Sequence, residues 1–305
     1  MIATLDDALF TAPVDPLLLL SILRHGLEGR HIILTDPYFQ RNGKGAVNQW
    51  LEARDALVRD AAEEALVRSL IAYNSTTTLV QFRVAERKES HWAGTPPELT
   101  LEDAARVLAL PLLLVLEDRQ ADKHFLRCVL PQPRRDELRA ALERGWIRAE
   151  HGGGLGNMKK YVEGLRDEPA ERMRVWILFD SDAWQPAQPS KDSQDLKTTC
   201  TSAALPHHQL QRRSIENYLP PQALYHWAGQ RRGEPATRLL RKVQAFEALE
   251  PATERYHVDM KERFENDHIA ELFREERFNI EQVWLRNDGQ GPELDTIAQG
   301  IFERM

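Results

Sequence analysis

Residues 174–182 read RVWILFDSD, and residues 112–118 read LLLVLED. Each is a continuous apolar run of strand length that ends directly in carboxylates. Strands without polar alternation belong to parallel sheets covered by helices on both faces. Strand and helix signals alternate around them: helical patterns at 122–129, 134–144 and 158–165, short strands at 146–149 and 208–211. This order predicts an α/β fold with a parallel-sheet core at 106–220. Everything after Pro221 reads as helical, mainly 236–249 and 253–274, giving a C-terminal helical region at 221–305.

Residues 1–105 read as an α+β region. Asp15 before Pro16 is an N-cap followed by proline at the first helical position, opening a helix toward Leu27. Residues 31–35 predict a buried strand, 40–45 a turn, 46–73 one amphipathic helix and 76–84 a β-branched strand. Thr100 with Asp103 three residues on marks another helix start.

Of 305 residues, 42% are hydrophobic and 29% charged, an ordinary globular composition. The apolar runs are too short to span a bilayer, and no basic segment precedes an apolar one near Asp6 and Asp7. A cytoplasmic protein without a membrane contact is expected. Two cysteines, Cys128 and Cys200, support neither a metal cluster nor a disulfide framework. A net charge of −7 argues against a uniformly basic nucleic-acid wrapper. It is compatible with a carboxylate-lined metal site that meets phosphate.

In parallel α/β sheets, ligands bind beyond the carboxyl ends of the strands. Glu117, Asp180 and Asp182 therefore reach one edge, where crowded carboxylates repel unless a hard cation such as Mg²⁺ joins them. Their carboxyl oxygens are expected to face a common point. A single acid after a strand more often caps a helix; the combination is what points to chemistry. The cluster 151–157, HGGGLGN, reads equally as a phosphate cradle and as a tight strand-to-helix turn. It lacks the dinucleotide fingerprint and the G-K-[ST] of a P-loop, as does 42–45, NGKG. Arg212, Arg213, Arg231, Arg232, Arg238, Arg241 and Lys242 form the densest basic stretch, read as a nucleic-acid groove or a solvated face. His207 and His208 read as loop residues, and Phe264, His268, Ile269, Leu272 and Phe273 are at core spacing.

Four segments in order resemble the motifs of the TOPRIM domain: LVLE at 114–117, the glycine cluster, FDSD at 179–182, and RRSIENYL at 212–219. The last is similar to the "R-x-x-E-N-Y-L" element of nucleases of the OLD (overcoming lysogenization defect) type and of stand-alone TOPRIM nucleases. Asp122 with Phe125 resembles the acid and aromatic of their "E-G-x-x-D-x-x-F" segment. Two departures stand out: Asp118 replaces the usual glycine, and Asp122 follows Glu117 by one position more than usual. The resemblance covers about 111–220.

That resemblance implies a metal-dependent nuclease, acting on DNA or RNA through one or two Mg²⁺ or Mn²⁺ ions. Glu117, Asp180 and Asp182 would be primary ligands, Asp122 a second-site ligand, and Glu216 a ligand or base. A lysine after the core, Lys242 or Lys261, would stabilise transition-state charge. Because OLD-type nucleases work with an ATPase and this sequence has no Walker motif, the resemblance implies a separate ATPase or sensor subunit, within an oligomer or hetero-complex of an anti-phage defence system. The alternatives are a degenerate TOPRIM assembly or regulatory subunit, or topoisomerase or primase chemistry. Tyr218 would be the tyrosine to test for a topoisomerase, although packing is its expected role.

Overall fold

The computed structural model describes residues 1–35, 45–274 and 280–305; of the turn expected at 40–45, only Gly45 is among them. The chain divides into two compact units: Met1–Leu112 with Glu168–Arg174 and Ile301–Met305, and Leu113–Asp167 with Val175–Gly300. The division expected at 105 and 220 differs from this. The first break falls at Leu112, and the helices after 220 belong to the same unit as the acid-bearing strands.

The first unit is α/β with a parallel sheet, where an α+β region was expected. It contains β1 (Ile2–Leu5), α1 (Pro16–Leu27), β2 (Ile32–Thr35), α2 (Ala46–Glu52), α3 (Ala56–Tyr73), β3 (Gln81–Val84), β4 (Glu98–Leu99) and α4 (Leu101–Ala109). Strand order is β2-β1-β3-β4, each pair parallel. Asp15 caps α1 by accepting from the Leu17 N–H at 2.8 Å, and Thr100 caps α4. The helix expected over 46–73 is interrupted: the Asp55 side chain accepts from Val58 N–H and restarts it as α3. The strand expected at 76–84 contracts to its last four residues. Ala3, Leu5, Ile22, Leu66, Phe82 and Val107 pack in its core.

The second unit is built on β5 (Leu112–Leu116), followed by α5 (Arg119–Val129), α6 (Arg134–Glu143), β6 (Ile147–His151) and α7 (Leu155–Gly164). The short α8 (Pro169–Met173) belongs to the first unit, after which β7 (Val175–Phe179), α9 (Lys191–Ser202) and β8 (His207–Gln209) complete a sheet ordered β6-β5-β7-β8. β7 pairs parallel with both β5 and β8. Every residue of β7 is buried, as its unbroken apolar pattern predicts. One face of the sheet presents Val115, Ile177 and Phe179 to Met158, Val162, Leu196 and Cys200. The Phe125 ring meets the Tyr218 and Phe273 rings edge-on at 5.3 and 5.2 Å.

The remaining helices are α10 (Pro221–Gly229), α11 (Glu234–Glu247), α12 (Met260–Phe264), α13 (Gln282–Leu285) and α14 (Gly291–Phe302). The single helix expected at 253–274 is instead a 3-10 turn, α12 and a second 3-10 turn. Asp259 caps the start of α12, and Glu265 at φ +52° turns the chain left-handed at its end. Of the residues at core spacing there, Phe264, Ile269, Leu272 and Phe273 are buried, whereas His268 is exposed. Among the described residues, no helix is long and apolar enough to cross a membrane.

Candidate functional site

The register Leu113↔Val175 to Leu116↔Leu178 brings the carboxyl ends of β5 and β7 to one edge. β6 lies on the opposite side of β5, so the strand order reverses there, where a crevice opens in such sheets. Glu117 accepts from the Asp180 backbone N–H at 3.4 Å. Asp118 caps α5 by accepting from Gln120 and Ala121, which gives a structural role to an acid where glycine is usual. One turn on, the buried Asp122 accepts from the Asp118 N–H at 3.0 Å.

The turn after β7 is pinned from several sides. Ser193 donates its hydroxyl to the Asp180 carbonyl, and Ser181 donates to the Arg212 carbonyl, both at 2.7 Å. Asp182 donates its backbone N–H to the Arg213 carbonyl at 2.8 Å. It does so at φ +49°, a left-handed conformation that costs energy for a non-glycine residue and is concentrated at functional sites.

Glu117, Asp122, Asp180 and Glu216 line one cavity of about 470 Å³, together with Lys261. Burial, and then the charge of Asp182, pushes the Glu117 carboxyl up to about 7. Burial also holds Asp122 and Asp180 well above the ordinary carboxylate range, with the neighbouring acids adding to it. Asp182 is raised by burial against the opposing pull of Arg213 and Lys261. Lys261 Nζ stands 3.2 Å from Glu216 Oε1. Burial works against its charge, but Glu216, Asp180 and Glu117 raise its pKa overall. Lys242 instead pairs with Glu265 at 2.9 Å and lines a different cavity with Trp227 and Phe264. Of the two candidate lysines, the structure brings only Lys261 to the acids.

Among the described residues, no three Asp, Glu, His or Cys side chains close on a point as ligands of an ion, so the common point expected for Glu117, Asp180 and Asp182 is not formed, and Asp182 is not among the residues that line the cavity. Glu117 and Asp122 turn to backbone N–H groups and Glu216 to Lys261. The donor set nevertheless fits a hard divalent cation. It is all oxygen, desolvated and mutually repelling, and Glu216 Oε2 is buried without a hydrogen-bond partner. Since protons and cations compete for these carboxylates, Mn²⁺ is expected to raise the melting temperature more at pH 8 than at pH 5. Differential scanning fluorimetry checks this, and Glu117→Gln should blunt the effect; equal shifts at both pH values would count against metal binding here.

The RRSIENYL element is largely a buried brace. Arg212 donates to the Asn217 carbonyl at 2.7 Å and pairs with Asp288 at 2.8 Å, its guanidinium 3.7 Å from the Tyr256 ring centre. Its expected place in a nucleic-acid groove is therefore corrected: it is enclosed among its partners and cannot reach a phosphate. Asn217 and Ser214 form a capping box that fixes the turn carrying Glu216. Tyr218 is buried and donates to Glu293 at 2.6 Å, as its expected packing role requires. Arg213 pairs with Asp259 and stacks on Trp184 at 3.5 Å. Arg231 and Arg232 are exposed, with no ion pair among the described residues, whereas Arg238 pairs with Glu265.

The strand expected at 208–211 forms as β8 over His207–Gln209, so both histidines lie in it and not in a loop, and His208 Nε2 bonds Glu293 at 2.9 Å. In the glycine cluster, Gly152 donates to the Leu116 carbonyl at 2.6 Å. A Cβ there would lie 2.3 Å from Met158 Cγ and 3.0 Å from that carbonyl, while Gly153 and Gly154 have φ of +68° and +87°. The tight-turn reading accounts for all three, and the turn abuts the strand end that carries Glu117. Asp288 and Glu293 were invisible in the sequence as parts of this brace, because their partners lie 76 and 75 residues away. The chain matches no protein-family model, no curated protein and no solved structure.

Proposed function

We propose that this chain is a metal-dependent nuclease with a TOPRIM-type core, hydrolysing phosphodiester bonds of DNA or RNA. The observation that carries the reading is the convergence of Glu117, Asp122, Asp180, Glu216 and Lys261 on one cavity at the carboxyl edge of parallel strands. Glu117, Asp180 and Asp182 would hold Mg²⁺ or Mn²⁺, with Asp122 and Glu216 available to a second ion. Bound there, the ions supply positive charge for the attacking and leaving oxygens of an in-line displacement. Glu216, where it holds no second ion, would take a proton from the attacking water. Lys261 keeps its proton and offsets charge that develops on the phosphoryl oxygens. The buried Tyr218 hydroxyl speaks against a tyrosyl–DNA intermediate.

The test is cleavage of plasmid, linear duplex, single-stranded DNA and tRNA with Mg²⁺, Mn²⁺ or EDTA. Metal-dependent cutting should vanish in Glu117→Ala and fall roughly 100-fold in Lys261→Met, with Lys242→Met unaffected. The open arrangement of the carboxylates favours a second reading, an inactive TOPRIM-fold subunit of an ATPase or sensor complex. Absence of Mn²⁺ binding by calorimetry, together with absence of cleavage, would select it.

A further inference from the structure

Two residues beyond Asp182, Trp184 stands 66% exposed, unusual for an indole next to a polar site. Its ring does not swing freely, because the Arg213 guanidinium lies 3.5 Å from the ring centre and is itself held by Asp259 at 2.8 Å. Trp184 borders a cavity of about 450 Å³ walled by Gln185, Pro186, Pro251, Thr253, Glu254 and His257. His257 is more than nine-tenths buried, yet its Nδ1 has no hydrogen-bond partner. Burial lowers its pKa, so the imidazole is neutral near pH 7. That nitrogen is itself sealed from solvent, so the ring serves the cavity as wall. The cavity thus offers an exposed aromatic face held by a guanidinium, proline walls and a polar side of Gln185, Thr253 and Glu254, in chain continuity with a proposed phosphodiester site. A nucleobase has a flat face for the indole and polar edges for that side.

We propose that the cavity beside Trp184 takes an unpaired base of the substrate, stacked on the held indole, so that single-stranded or frayed nucleic acid is preferred over intact duplex. This rests on the nuclease reading for the nature of the ligand. A base inside a duplex is stacked on its neighbours and cannot enter such a pocket without being extruded. A base in a single strand has its faces free, and stacking on a held indole tolerates any sequence.

The test separates binding from cleavage. Fluorescein-labelled single strands of roughly 12 nucleotides, and the same strands annealed to blunt duplexes, are titrated with the full chain in Ca²⁺ and followed by anisotropy. Wild type should bind single strands more tightly than duplex. Trp184→Ala should weaken single-strand binding roughly 10-fold or more and leave duplex binding unchanged. Trp184→Phe should restore most of the loss. The exposed position of Trp184 makes misfolding an unsuitable explanation, and an unchanged melting temperature for Trp184→Ala verifies that. Single-strand binding indifferent to Trp184→Ala, equal losses on both substrates, or no single-strand binding by wild type would each overturn the base pocket. Metal-dependent cleavage by wild type would leave the nuclease reading standing in all three cases. Trp184-dependent binding without any cleavage would do the reverse.

Discussion

Asp180→Asn is expected to abolish metal-dependent cleavage while making the metal-free chain more stable. Asp180 is half-buried at the end of β7, and burial, then Glu117, Asp122, Glu216 and Asp182, hold its carboxyl well above the ordinary range. A carboxyl whose folded pKa is raised binds a proton that the unfolded chain has released. Stability is therefore lost as pH rises from the unfolded carboxylate value toward the folded one. Asparagine carries no such penalty, so its gain should be larger at pH 8 than at pH 5. Urea denaturation in EDTA at the two pH values measures it. Activity should fall by roughly 10³-fold, since a neutral amide neither holds a cation nor offsets charge as a carboxylate does. A variant that is less stable at pH 8 and still cleaves would remove Asp180 from the site. The opposite signs of the two effects would mark the cluster as one kept for function at a cost in stability.

The parts of this site legible in the sequence are those whose cause is local. An apolar run ending in acids is a property of consecutive residues, and both LLLVLED and VWILFDSD form the strands that their patterns predict. Parallel pairing then places their ends together without further information. The Asp15 and Thr100 caps were legible for the same reason, as each bonds within three residues. What could not be read depends on distant partners. Lys242 and Lys261 have similar surroundings in sequence, and only the path of the chain through Glu265 separates one from the acids. β1 was missed because four residues carry too little alternation to stand out. That strand is central to the first unit's sheet, so losing it made a parallel α/β unit look like α+β. The segment 253–274 kept helical spacing while Glu265 broke it, because a left-handed residue leaves no periodic trace.

Arg212 was misread for a related reason, and it yields the largest expected loss of stability. Beside Arg213 it looks like part of a basic surface, yet its side chain is only 5% exposed and its main partner is 76 residues away. It donates to the Asn217 carbonyl and to both the side chain and the carbonyl of Asp288, whose other oxygen pairs with Arg255 at 3.0 Å. Arg212→Met removes the cation but leaves those acceptors buried, so the cost should be about 3–5 kcal/mol. Arg255 remains to hold Asp288, which favours the lower end of that range. Arg231→Met, at an exposed position, should change stability by less than about 0.5 kcal/mol. Chemical denaturation of the two variants gives the comparison. Arg212→Met with Asp288→Asn should recover part of the loss, because the orphaned acid is then neutral. The brace also fixes the turn that carries Glu216, so Arg212→Met should weaken Mn²⁺ binding although Arg212 touches none of the cavity acids. Equal denaturation midpoints for Arg212→Met and Arg231→Met would return Arg212 to the surface, and with it the reading of this stretch as a nucleic-acid groove.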